Sequence, residues 1–379
     1  MQHNNNYYNT ILGQIGYPLI GVTYSPENIS DFGVLILRSS NIQNNQLSFK
    51  DNVYIEKQLN DKLFMRKNDL LICVRNGSKD LIGKSVLIKE KMENVSFGAF
   101  MCVFRSEHNR YLSYFFQTIA VKRQIDCALG ATINQITNRA MNEITVDLPN
   151  NSIFEQHIVD IMESVDKLID SIEKRYKKQE LFFDGLLHKV FSSKELISVS
   201  LTTIFDFSKG TQINGDELSN QFKYPMYNGG VSLSGYTNEY NTIAPSIIIS
   251  EGGNSCGFVN YIENNFWAGG HCYVVTTKQM DKLYGYFLLK YHEKSIMRLR
   301  VGSGLPNVQK KALNEYEVRI ENDLQKQKNI GLILYSYFLL QKSIEKQKNK
   351  YKNIREGLLE GLFSGEIDIS NLNIVKEKT

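Results

Sequence analysis

The stretch IFEQHIVDIMESVDKLIDSIEKRYKKQELFFDGLLHKVF at 153–191 decides the fold of this chain. Ile158, Ile161, Met162, Val165, Leu168, Ile169, Ile172 and Tyr176 fall at the alternating three- and four-residue steps of one helical face, with charges at the positions between. The stripe passes on to Gln179, Phe182, Phe183, Leu186, Leu187 and Val190. The spacing therefore predicts a single helix about 58 Å long at 1.5 Å per residue, too long to pack onto one small domain.

The closing phrase of that stretch returns once. SIEK at 171–174 recurs as SIEK at 343–346, 172 residues later, and the offset then holds without a gap. Gly185, Leu186 and Leu187 match Gly357, Leu358 and Leu359, while Phe191-Ser192 match Phe363-Ser364. Upstream, Ile158, Ile161 and Leu168 match Ile330, Ile333 and Leu340. The register also leaves the helix, pairing Tyr114-Phe115 with Tyr286-Phe287 and Asn142-Glu143 with Asn314-Glu315. A unit of this length is a duplicated domain plus helix, since solenoid units run about 20 to 50 residues. The repeat predicts two domains related by a pseudo-twofold, with their helices antiparallel.

At 379 residues, 42% hydrophobic and 22% charged, the chain can form two or three domains with proper cores. A net charge of +4 permits a nucleic-acid partner without demanding one. Cys73, Cys102, Cys127, Cys256 and Cys272 include no CxxC pair, which argues against a disulfide framework and a zinc ribbon. They read as reduced core residues of a cytoplasmic protein. MQHNNNYYNT lacks the basic and apolar regions of a signal peptide, and the apolar run 330–340 is too short to span a bilayer, so no membrane association is expected.

Taken in order, VLILR at 34–38, DLLICVR at 69–75, SVLIKE at 85–90 and AFMCVF at 99–104 are β-rich runs separated by turn residues. A helix is expected over 111–129, a break at Gly130-Ala131-Thr132, a short helix over 134–142, and a strand at 144–149 that Pro149 ends. The second copy repeats this plan with strands at 246–250, 258–262 and 272–277, then a helix through Tyr286-Phe287. The expected class is α+β: domain one at 1–151, the long helix at 152–192, domain two at 193–320, a second long helix at 321–366, and a tail at 367–379 that frays from Ser370.

The motifs for chemistry are negative. GSKDLIGKS at 77–85 resembles a phosphate loop, but it has five residues where that loop needs four, and a β-like run follows where a helix is required. Lys84 is instead expected to be a surface or DNA-facing lysine. In GGHC at 269–272 the adjacent His271 and Cys272 of a strand point to opposite faces and cannot readily share a metal, so a structural role is expected. Asp147-Leu148-Pro149-Asn150 shares only its proline with the Asn-Pro-Pro-Tyr signature of amino-methyltransferases, and its repeat partner Arg319-Ile320-Glu321-Asn322 keeps no proline at all. A strand end leading into the helix explains it better, and neither GxSxG nor HExxH occurs. What remains is polar and turn-rich. Arg38-Ser39-Ser40-Asn41, Arg75-Asn76-Gly77-Ser78, Tyr227-Asn228-Gly229-Gly230 and Gly252-Gly253-Asn254-Ser255 each end an expected strand, where Arg and Asn offer bidentate donors and acceptors to base edges. Tight turns alone also explain the Gly, Asn and Ser. The short helices after Gly130 and Gly302 carry Asn138-Arg139 and Lys310-Lys311, placed to meet phosphate or simply to follow a glycine cap.

With these pieces assembled, the chain resembles the specificity subunit of type I restriction-modification enzymes over nearly its whole length. The resemblance rests on VLILRSSNI at 34–42, NDLLICVRNGS at 68–78, KYPMYNGGVSLSGY at 223–236, the paired GLL and FS helix ends, and the order domain, helix, domain, helix. The family often opens with a Trp-rich segment; here Trp267 is the only tryptophan. The resemblance implies a non-catalytic reader of double-stranded DNA, with one domain per half of a split target. It implies no cofactor on this chain. Partner modification subunits would bring S-adenosylmethionine for adenine methylation, and a restriction subunit, where the system has one, would bring ATP and magnesium. Half-site contacts would come from Arg38, Ser39, Asn41, Arg75, Asn76 and Ser78 in one domain and from Tyr227, Asn228, Asn254 and Ser255 in the other. The helices, through Ile158, Val165, Leu168, Ile172, Leu186, Ile333, Tyr337, Leu340, Ile344 and Leu358, would form an antiparallel coiled coil and a docking surface for those subunits. The rival readings are a coiled-coil adaptor with two protein-binding domains and an enzyme without a recognisable motif.

Overall fold

A computed structural model describes residues 6–129, 134–213, 218–302 and 304–369. The chain forms two compact units, residues 1–171 with 348–379, and residues 172–347. Each unit thus takes part of both long helices, which the consecutive segments read from the sequence did not anticipate. The central helix spans Ser152–Phe191 and the C-terminal helix Leu324–Ser364. Asn151 starts the first by accepting the Ile153 N–H at 2.8 Å. Asp323 starts the second by accepting from Gln325 and Lys326, at 2.8 and 3.0 Å, and these N–H groups hold its carboxyl below the ordinary range. Gly365 at φ +75° ends it in the left-handed region that suits glycine.

In unit 1, four strands in the order Tyr17–Ile20, Met101–Arg105, Leu70–Cys73, Ser85–Leu87 form an antiparallel sheet. A second sheet orders Val95–Phe97, Val34–Leu37, Tyr54–Ile55, Ile29–Ser30, with its first pair parallel. Tyr7–Ile11 pairs antiparallel with Thr145–Pro149. Unit 2 repeats this topology. Its main sheet orders Phe205–Lys209, Cys272–Thr277, Ser246–Ser250, Val259–Ile262; its smaller sheet pairs Tyr224–Tyr227 with Trp267–Ala268 in parallel; and Ile197–Ser200 pairs with Glu317–Ile320. The class is α+β with mixed sheets.

The core of unit 1 joins Phe104, Tyr111 and Leu112 to Phe154, Ile158 and Met162 of the central helix and to Leu359 and Leu362 of the C-terminal helix. The start of one helix therefore meets the end of the other, so the two run antiparallel there. Asp166 and Arg355 pair between them, and Arg355 also donates to Gln117 at 2.8 Å. In unit 2, Phe183, Leu187 and Leu334 share a core with Phe205, Tyr284 and Phe287, and the Phe182 and Tyr337 rings lie 5.3 Å apart. Each such fully buried side chain contributes roughly 1.5–3 kcal/mol.

Three expectations change. The helix expected over 111–129 is two, Asn109–Phe115 and Ile119–Ala128, because Thr118 leaves helical geometry at ψ 156° and its side chain caps the second by accepting from Val121 N–H. The short helix begins at Asn138, while Gly130-Ala131-Thr132 lie outside the described residues. The tail packs at its start, Ile367 N–H donating to Gly361 O at 2.9 Å and Ile369 being 3% exposed in the unit 1 core, while the stretch from Ser370 expected to fray lies outside the described residues. Cys127 is exposed, whereas the other four cysteines are buried as expected.

Candidate nucleic-acid interface

Within each unit, hydrogen bonds bring the strand-end loops together in the same pattern. In unit 1 Gly98 N–H donates to Leu37 O at 3.0 Å, Val74 N–H to Phe100 O at 3.0 Å, and Ile136 N–H to Val74 O at 2.8 Å. In unit 2 Gly269 N–H donates to Tyr227 O, Glu251 N–H to His271 O and Val308 N–H to Glu251 O, each at 2.8 Å. Isolated bridges join Arg75 to Gln135 and Gly252 to Asn307. Leu37 thus corresponds to Tyr227, Val74 to Glu251 and Arg75 to Gly252. The loops at 38–41 and 75–78 are the counterparts of those at 228–230 and 252–255.

The loops of each pair also touch. Asn76 Nδ2 donates to Ser39 Oγ at 3.2 Å, and Asn76 Oδ1 accepts Ser78 N–H at 3.0 Å. In unit 2 the Ser255 hydroxyl donates to Gly229 O at 3.0 Å, and the Ser250 hydroxyl donates to the same carbonyl. Gly229 has φ +85°, and a Cβ there would stand 2.8 Å from His271 O, so only glycine suits this crossing of loops.

Some of the named side chains are free to face a ligand and others are not. Arg75 is exposed, its guanidinium carbon 4.9 Å from the Phe100 ring centroid. Arg38 is part-exposed and paired with Asp51 at 2.8 Å, and its Nε, like Ser40 Oγ, has no partner among the described residues. Asn254, Asn138, Arg139, Lys310 and Lys311 are exposed. Arg139 pairs with Glu143 at 2.8 Å and Lys311 with Glu315 at 3.9 Å, exposed i,i+4 pairs of little energetic weight. Lys84 is half-buried, and its own backbone carbonyl accepts Cys73 N–H at 2.9 Å.

Asn41 is a correction. It is fully buried; its Oδ1 accepts Arg38 N–H at 2.9 Å, and its Nδ2 donates to Ser48 O and Asp51 O at 2.9 and 3.1 Å. An amide whose donors and acceptor all serve its own loop shapes that loop and reads nothing outside it. Ser255 is likewise spent on Gly229 O. Asn228 Oδ1 accepts His271 N–H at 3.1 Å, and Tyr227 is half-buried with its ring 5.7 Å from Phe266.

The helix residues need the same sorting. Ile158, Ile172 and Ile344 are buried, and Val165, Leu186, Tyr337 and Leu358 are half-buried, so they hold this chain's own helices and domains. Leu168, Ile333 and Leu340 remain exposed, joined by Leu181 at 74% and Leu332 at 60%. The chain therefore buries only part of the apolar stripe in itself.

Sequence reasoning also missed a polar cluster in unit 2. Glu251 accepts from Lys209 at 2.9 Å and from Tyr273 OH at 3.2 Å, with His271 Nδ1 3.9 Å away. Burial, then the Glu251 carboxylate, pushes the Tyr273 phenol up to about 12. Burial likewise pushes the Cys272 thiol to about 11, which leaves it protonated and unreactive. His271 and Cys272 do face opposite ways, as expected, one exposed and the other buried. The stretch at 77–85 runs into the strand Ser85–Leu87, which removes the phosphate-loop reading. Among the described residues no group of His, Cys, Asp and Glu is placed to hold a metal, and no helix is long and apolar enough to cross a membrane.

Two repeated α+β units, each presenting converged polar loops and each holding part of both long helices, define the class of this chain: a duplicated α+β protein. Residues 21–181 and 194–351 match the type I restriction modification DNA specificity domain, and the chain belongs to that family. A type I specificity subunit of Mycoplasma pneumoniae, S.MpnORF638P, is 30% identical over 135 residues, covering 35% of this chain and 36% of the relative. The specificity subunit of the type I restriction enzyme EcoKI of Escherichia coli is 30% identical over 170 residues, covering 42% and 36%. The alignments therefore span little more than a third of these curated relatives. The crystal structure of a type I restriction-modification S subunit from M. genitalium shares the fold with a TM-score of 0.71 at 20% identity, over 96% of this chain and 98% of that one. A chain from a structure describing assembly and conformational transition of the type I R-M system aligns with a TM-score of 0.57 at 13% identity, over 97% and 100%.

Proposed function

We propose that this chain is the sequence-specific DNA-recognition subunit of a type I restriction-modification complex, reading a bipartite target with one unit per half-site. The observation that carries this reading is the double match to the specificity family together with the same convergence of loops in both units. The chain acts in the cytoplasm and catalyses nothing itself. Modification subunits bind S-adenosylmethionine and methylate adenine, and a restriction subunit, where present, uses ATP and magnesium. Exposed helix residues such as Leu168, Leu181, Leu332, Ile333 and Leu340 support docking of those subunits.

Co-expression with modification subunits and methylation-aware sequencing tests this directly. The expected result is one split motif methylated by the complex and no methylation by the purified chain alone. Adenine methylation by the isolated chain would remove the non-catalytic reading. Binding of the chain to duplex DNA that does not weaken with salt, or no binding, would favour a protein adaptor.

The exposed lysines give a second expectation. K310A/K311A is expected to weaken binding to all duplex sequences alike and to lower the slope of log K against log salt by about 0.9 per lost phosphate contact. A change in recovered motif with an unaltered slope would assign these lysines to base reading instead.

A further inference from the structure

One turn in each unit presents a side chain that neither the core nor the loops above account for. Gly98-Ala99-Phe100-Met101 is closed by Met101 N–H donating to Gly98 O at 2.8 Å, and Gly269-Gly270-His271-Cys272 by Cys272 N–H donating to Gly269 O at 3.0 Å. The fourth residue of each turns inward, Met101 and Cys272 both being 1% exposed. The third therefore faces out: Phe100 is 55% exposed and the His271 side chain 61%. Its carbonyl is fixed by the neighbouring loop, Phe100 O accepting from Val74 and Arg75 at 3.0 and 3.1 Å, and His271 O from Glu251 at 2.8 Å.

A large ring held on rigid backbone in water forgoes its burial energy, and it stands beside the loops assigned to base edges. Its surroundings differ between the units in a complementary way. In unit 1 Arg75 lies against the Phe100 ring, a cation–π contact that aims the guanidinium fork. At the corresponding place unit 2 has Gly252, where a Cβ would stand 3.8 Å from His271 Nδ1, and Glu251 lies behind the imidazole. One unit offers a fork braced by a ring; the other offers a ring alone.

We propose that the third residue of this turn, Phe100 in unit 1 and His271 in unit 2, is a specificity-determining base contact, one for each half-site. This rests on the DNA-reading function proposed above. Phe100 lies against a thymine methyl while Arg75 donates its fork to guanine O6 and N7 beside it, the pairings that major-groove chemistry favours. His271 donates an imidazole N–H to a purine N7, a contact that the missing side chain at 252 leaves room for.

The test is selection of a randomised double-stranded DNA pool by the full-length chain, followed by sequencing of the bound fraction, for wild type, F100A, F100L and H271A. F100A is expected to lose about 10-fold or more of the preference at one or two adjacent positions of one half-site, with the other half-site intact as an internal check that the protein is folded. F100L, which keeps an apolar contact, is expected to retain part of that preference. H271A is expected to act only on the opposite half-site. If wild type recovers a split motif and F100A, F100L and H271A recover the same motif, or lose both half-sites evenly, this proposal is wrong and the turn is structural. If wild type recovers no motif, it is the DNA-reading function itself that fails.

Discussion

R105M is expected to destabilise unit 1 by about 3–5 kcal/mol, the usual result of removing one member of a buried ion pair. Arg105 ends the Met101–Arg105 strand and Asp69 precedes Leu70–Cys73, and antiparallel pairing of Phe104 with Leu70 sets the two side by side. The guanidinium makes a two-pronged contact to Asp69 at 2.8 and 2.9 Å and donates to Lys62 O and Phe64 O at 3.0 and 2.9 Å. The two side chains are 10% and 4% exposed. Asp69 raises the Arg105 pKa, so the cation persists at every working pH. With methionine at 105 the Asp69 carboxylate keeps its bond from Arg66 N–H at 2.8 Å but is otherwise left charged and buried, and two carbonyls lose a donor. Unit 2 has no counterpart, because the matching strand positions are Ser246 and Thr276. Chemical denaturation with probes in each unit is expected to show unit 1 unfolding earlier and unit 2 unchanged. Equal loss in both units, or a change below about 1 kcal/mol, would show that the pair is no more than a surface bridge.

Adding one heptad to each long helix, after Ser171 and after Gln347, is expected to lengthen the unread spacer of the DNA target by about three base pairs. Both helices pass from one unit to the other at these points, in helices that are continuous on either side. Seven residues add about 10 Å at 1.5 Å per residue, and the apolar stripe drifts by only about 20° per heptad. Duplex DNA rises about 3.4 Å per pair along each strand. The structure alters the design of this experiment, since the C-terminal helix makes the same passage and an insertion in the central helix alone leaves the two unequal. Methylome mapping of the doubly inserted variant is the measurement. An unchanged spacer at full activity would show that the helices do not set the spacing, and altered half-sites would show that the units do not read independently.

The long helices and the duplication were legible because both are local signals. Apolar residues at a 3.6-residue period mark a helix whatever surrounds it, and the offset of 172 runs without a gap from Tyr114 to the paired Phe191 and Phe363. Strands such as Ser246–Ser250 and Cys272–Thr277 were legible for the same reason, as β-branched runs between turn residues. Upstream of Tyr114 the copies drift, so that Leu37 matches Tyr227, Val74 matches Glu251 and Met101 matches Cys272 at three different offsets. Loops of unequal length absorb those shifts, and no constant spacing reveals them.

The sequence by itself determined the class, the two copies, the positions of the strand-end loops and the absence of known catalytic motifs, because each of these is written in neighbouring residues. The tertiary structure decided which polar residues remain available. Asn41 and Asn76 look alike as turn residues, yet Asn41 is closed inside its loop by Arg38, Ser48 and Asp51, while Asn76 bridges to Ser39 of the next loop. Phe100 and His271 look like core and structural residues, yet the turn that buries Met101 and Cys272 turns them outward. Hydrogen-bond partners distant in sequence settle these fates, through backbone crossings that no local pattern encodes.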